Sequence, residues 1–107
     1  MNGRPTILEI ATTKYDTDRG LVEHSMILLQ DKCGVKDGFL ISDPMERFGW
    51  AFFKILIKAE LLSEMQIKLD DQIARSKGKK IEEKFVSFMT NLFESENAKV
   101  KVKLVED

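Results

Sequence analysis

The stretch from residue 48 to 62 is the most apolar part of the chain, broken only by Gly49, Lys54, Lys58 and Glu60. Wherever it packs, the rest of the molecule must cover it. It is too short and too charged to cross a bilayer, because a span needs ~20 mostly apolar residues. Its spacing predicts a helix. At about 100° per residue, Met45, Phe48, Phe52, Ile55, Leu56, Ala59 and Leu62 fall on one face. The start is marked as well: Asp43 suits an N-cap, Pro44 the first helical position, and Glu46 the third, as in a capping box. A second apolar line, Trp50, Phe53, Ile57 and Leu61, runs along another side. A helix apolar on two sides needs two covers: the sheet can wrap it, another helix can cover it, or another copy of the chain can. Monomers rarely leave such a patch open, so these four residues form a candidate interface, most simply of a homodimer.

The remaining elements follow from turn formers and periodicity. Residues 6–13 and 21–29 read as strands around the cluster Asp16, Thr17, Asp18, Arg19 and Gly20, which predicts an N-terminal antiparallel β-hairpin. Residues 39–42 read as a short third strand. Residues 63–77 either prolong the long helix or hold a strand near 66–69, and Gly78 ends any helix. Ile81, Phe85, Phe88, Met89, Leu92 and Phe93 recur at helical spacing, and residues 99–104 alternate strictly, as a half-buried strand does. A chain of 107 residues, 43% hydrophobic and 33% charged, fits one globular domain. The expectation is a single α+β domain over residues 1–107. Its parts are the N-terminal hairpin and third strand, a long buried helix, a second amphipathic helix and a C-terminal strand.

Few side chains for catalysis are present. The only histidine, His24, lies within a predicted strand, so no Ser–His–Asp or Cys–His arrangement has a base at hand. Cys33 is the only cysteine, which rules out an internal disulfide and, with His24, a structural zinc site within one chain. Gly34 and Gly38 lack the Gly-Lys-Ser/Thr ending of a phosphate loop. Asp16 and Asp18 lack the later glutamate of a calcium loop, and the adjacent Asp70 and Asp71 read as a solvated helix end. The chain is therefore expected not to be an enzyme, and no metal or cofactor is implied. Residues 6–13 are too short and too broken by Glu9 for a signal-peptide core. A cytoplasmic location without membrane association is expected.

Cations carry the functional signal. Seventeen basic residues balance eighteen acidic ones, for a formal charge of -1, yet the basic ones cluster. Arg75, Lys77, Lys79 and Lys80 crowd one loop; Lys99, Lys101 and Lys103 share one face of the last strand; Lys14, Tyr15 and Arg19 bracket the predicted hairpin turn. A basic groove with aromatics such as Tyr15, Phe39 or Trp50 suits single-stranded nucleic acid, through phosphate neutralisation and base stacking.

The sequence at residues 39–42, leading into Trp50 and the Lys58-Ala59 pair of the run 50–62, resembles a family of small phage-encoded single-stranded DNA-binding proteins. The likeness covers residues 6–62. It implies an oligonucleotide-binding (OB-like) barrel and a non-catalytic single-strand binder. The binding residues expected from the basic and aromatic clusters themselves are Lys14, Tyr15, Arg19, Phe39, Arg75, Lys77, Lys79 and Lys80. The alternative is a small protein-interaction or inhibitor module. It would act through the apolar line Trp50, Phe53, Ile57 and Leu61, with Glu106 and Asp107 as a secondary contact.

Overall fold

The structure, a computed structural model, describes residues 4–105. Glu106 and Asp107, proposed above as a secondary contact, lie outside the described residues. The fold is α+β. Its elements in order are β1 (Thr6–Thr12), α1 (Tyr15–Cys33), β2 (Phe39–Ile41), β3 (Met45–Arg47), β4 (Trp50–Ile57), α2 (Ala59–Lys68), α3 (Asp70–Ala74), α4 (Ile81–Ser95) and β5 (Lys101–Leu104). The antiparallel sheet runs β2-β4-β1-β5, and β3 also pairs with β4. It is an open sheet with β2 and β3 along one edge and β5 on the other, not the barrel implied by the resemblance.

β2 and β3 are two parts of one interrupted strand. Ile41 faces Ile55 and Met45 faces Phe52, so three residues, 42 to 44, span the gap that two residues fill in β4. That is a β-bulge. Ser42 repairs the ladder there: its backbone N–H donates to the Lys54 carbonyl (2.9 Å), and its hydroxyl accepts from the Lys54 N–H (2.8 Å). Counting β2 and β3 together, and α2 to α4 as one crossover, the chain runs β-α-β-β-α-β. Each parallel pair is split by a strand between its members, as in ferredoxin-like sheets.

Two expected elements are overturned. The segment 45–62 is not a helix but the hairpin β3–β4 followed by the first turn of α2. Asp43 and Pro44 lie in the bulge and Glu46 in β3, so no N-cap or capping box forms there. The hairpin turn is Phe48-Gly49, with φ of 53° and 80° between the paired residues Arg47 and Trp50. Positive φ at both central residues is the type I′ geometry whose twist matches that of the strands. The predicted N-terminal hairpin is also absent, because residues 15–33 form α1. Asp16 and Asp18 are its first turn, where carboxylates favour the helix dipole, and Val22, Met26, Leu29 and Cys33 recur along its buried side. Gly34, in the left-handed region at φ 72°, ends it with the paired bonds of a Schellman motif.

All helices cover one face of the sheet. Leu8, Ile10, Phe53, Ile55 and Ile57 meet Val22 and Met26 of α1, Leu61 and Met65 of α2, and Phe85, Met89 and Phe93 of α4 in a single core. Phe53, Ile57 and Leu61, proposed as interface residues, are 1%, 0% and 0% exposed. Their second cover is the core of their own chain. Residues 63–77, left open between helix and strand, are helical over most of their length as α2 and α3.

Candidate nucleic-acid interface on the open sheet face

Strand alternation decides which side chains the helices leave uncovered. On β4, Ala51, Phe53, Ile55 and Ile57 point into the core, which turns Trp50, Phe52, Lys54 and Leu56 to the opposite face. Register then places their neighbours. Arg47 lies beside Trp50; Met45, Phe52, Ala11 and Lys101 form the next row; and Glu9 stands between Lys54 and Lys103. Trp50 and Phe52 are half-buried, whereas Met45, Arg47, Lys54, Lys101 and Lys103 are exposed.

The geometry within this face is specific. Lys101 Nζ lies 4.9 Å from the centroid of the Trp50 ring, reaching diagonally across the small Ala11 position. The Arg47 guanidinium lies 3.3 Å from Met45 Sδ, which holds it along the edge strand. Four cations (Arg47, Lys54, Lys101 and Lys103) oppose one carboxylate, Glu9, for a net of +3 on a chain whose total is -1. Asp43 stands at the rim, in the bulge. Among the described residues no ion pair ties Glu9 to either lysine beside it.

The hairpin tip adds a further aromatic. Phe48 is 96% exposed and lines two adjoining hollows. One lies over the sheet face; the other lies between the tip and the start of α1, where Lys14 and Tyr15 form its far wall. The turn from β1 into α1 is fixed by buried groups. Thr12 Oγ1 donates to the Asp18 carboxylate and accepts from the Lys14 N–H (2.9 Å), with Thr12 1% and Asp18 4% exposed.

The binding residues proposed from the sequence are scattered. Lys14 and Tyr15 border the hollow at the hairpin tip, although Tyr15 turns its ring inward, edge-on to Phe53 at 5.6 Å. Arg19 is one turn along α1 and pairs with Glu23 at 3.0 Å. Phe39 points to the core side of β2. Arg75, Lys77, Lys79 and Lys80 are exposed on the helical side, opposite Trp50. Arg75 there borders a cleft between α1, α3 and α4 with an apolar floor that includes Leu28, Leu69 and Phe88. Of the four proposed interface residues, Trp50 alone reaches the surface, on the open face.

Cys33 and His24 both lie on α1, away from the open face. Cys33 is buried, and burial pushes its thiol above the ordinary range, with Lys68 pulling weakly the other way. The Lys68 ammonium itself donates to the Cys33 carbonyl at 2.8 Å. His24 lies on α1 with Nε2 3.4 Å from Glu96. Among the described residues no group of three His, Cys, Asp or Glu side chains is placed to hold a metal ion, and no helix is long and apolar enough to cross a membrane.

Sequence reasoning missed Phe52, Lys54 and Arg47. The signal was the two-residue spacing of Trp50 and Phe52 directly after a glycine. Gly49-Trp50-Ala51-Phe52-Phe53-Lys54-Ile55 follows, with substitutions, the glycine-aromatic-small-Phe-apolar pattern carried by sheet strands that stack RNA bases. Comparison with family models, with curated proteins and with solved structures found no match to the chain.

Proposed function

We propose that the protein is a non-catalytic binder of single-stranded nucleic acid that lays bases on the open face of its sheet. One observation carries the reading: Trp50 and Phe52 stand two residues apart on that face, framed by Arg47, Lys54, Lys101 and Lys103. Aromatic faces on an antiparallel sheet stack unpaired bases, and the surrounding cations neutralise the phosphates. The strand topology and the pattern from Gly49 to Ile55 resemble those of RNA-recognition motif domains. Side chains 7, 9 and 11 of β1, which share the face, are Ile, Glu and Ala, so β1 adds no aromatic. The binding residues in this reading are not the loop cations 75–80 but those of β3, β4 and β5.

Trp50 is the only tryptophan, so its emission reports the face directly. Adding oligo(U) or oligo(dT) twelve-mers at low salt should quench that emission and raise the anisotropy of a labelled strand. Binding should weaken steeply as salt rises. Unchanged emission and anisotropy at low salt, with light scattering at twice 12.3 kDa, would instead make the face a contact between two copies.

A further inference from the structure

Phe48 gives the fold little that an ordinary turn residue would not. The type I′ turn asks for positive φ at both central positions, which Asn-Gly or Gly-Gly meets without strain, yet a bulky Phe sits at φ 53°. Nor does burial compensate, since the side chain is 96% exposed. A strained backbone under an exposed aromatic points to a use outside the chain. Its position supplies that use. Phe48 stands at the turn just beyond Trp50, and it borders the hollow that contains both Trp50 and Phe52. Arg47 beside it carries a cation to the tip.

Resting on the reading of the sheet face as a nucleic-acid site, we propose that Phe48 is a third stacking platform, which receives the base beyond Trp50 as the strand leaves the sheet. The missing aromatic on β1 makes such a platform useful, because the sheet itself offers only Trp50 and Phe52. Trp50 and Phe52, two apart on β4, are separated by roughly 6.8 Å, twice the rise per nucleotide of a stacked strand. Bases laid on consecutive platforms must therefore part from one another. Single strands allow this and an intact duplex does not, so the tip adds selectivity for single strands as well as affinity.

The test is Phe48→Asn, which places the favoured Asn-Gly pair in the turn, beside Phe48→Tyr, which keeps an aromatic ring. Phe48→Asn should melt no lower than the parent and should bind an oligo(U) twelve-mer roughly tenfold more weakly, the loss expected for one stacked base. Quenching of Trp50 at saturation should persist, and Phe48→Tyr should bind within about twofold of the parent, since a stacking face is retained. Parental affinity in Phe48→Asn, with Trp50 still quenched, would overturn the platform and leave the sheet reading standing. Loss of the melting transition in Phe48→Asn would make the residue structural and overturn it too. Absence of quenching in the parent chain would remove both readings together.

Discussion

Thr12 and Asp18 are small residues with a large share in the position of α1. The carboxylate is buried at the first turn of the helix, and the Thr12 hydroxyl is the side chain that donates to it. Removing one partner from a buried, charge-assisted bond leaves the other desolvated and unpaired, which costs about 1–3 kcal/mol. Thr12→Val keeps the branched shape and loses the hydroxyl, so its stability in urea denaturation should fall by that amount. Thr12→Ser, which keeps the hydroxyl, should lose less. Equal midpoints for Thr12→Val and the parent would mean that the carboxylate finds another donor. The sequence showed both residues but not their meeting: Asp16 to Gly20 looked like a turn because Asp, Thr and Gly favour turns, while the same carboxylates also favour the start of a helix.

At the level of elements, α4 shows how a local pattern survives folding. Phe85, Met89 and Phe93 are buried at helical spacing, as the periodicity predicts, and the helix begins where Glu83 Oε1 accepts from the Lys79 and Lys80 N–H groups at 3.0 and 3.1 Å. Those two backbone bonds hold the Glu83 carboxyl below its ordinary range. A depressed folded-state value contributes stability that is present above the unfolded value, about 4.3, and is lost as pH falls through the folded one. Glu83→Gln can still accept both bonds but does not titrate. Its unfolding midpoint should therefore fall less steeply than the parent's between pH 5 and roughly 3, and parallel curves for the two proteins would count against the assignment. The strands β1, β2 and β5 were legible for a similar reason: each is β-branched or strictly alternating over its own length. The hairpin β3–β4 was not. When the open face of a sheet carries Trp50, Phe52 and Leu56, alternation between apolar and polar disappears, and a run apolar on both sides fits a helix as well as a strand. Phe48-Gly49 would have decided the matter only if a turn with Phe at positive φ were common, and it is not. The candidate site was hidden with it, because Lys54, Phe52 and Arg47 share a face only once β4 is a strand.

For the whole molecule, the decisive quantity is where charge sits rather than how much there is. The described residues sum to +1, of which the sheet face carries +3 and the others -2, so charge is unevenly placed. An approaching polyanion is drawn to the sheet face. Replacing Lys54, Lys101 and Lys103 together by Gln should flatten the dependence of log affinity on log salt by roughly 0.7 for each single-strand phosphate that is no longer neutralised. Replacing Arg75, Lys77, Lys79 and Lys80, on the helical side, should leave that slope unchanged. The opposite result would return the site to the loop. The bulge at residues 42–44 has a consequence of its own for such a molecule. A sheet that must leave one face bare is exposed to growth by strand addition, and protection has to come from its edges. Here one edge is interrupted by Pro44, which has no N–H to offer, and the other is a four-residue strand bearing Lys101 and Lys103. Copies crowded side by side along a shared strand thus have no template by which to fuse, and they should separate again once that strand is gone.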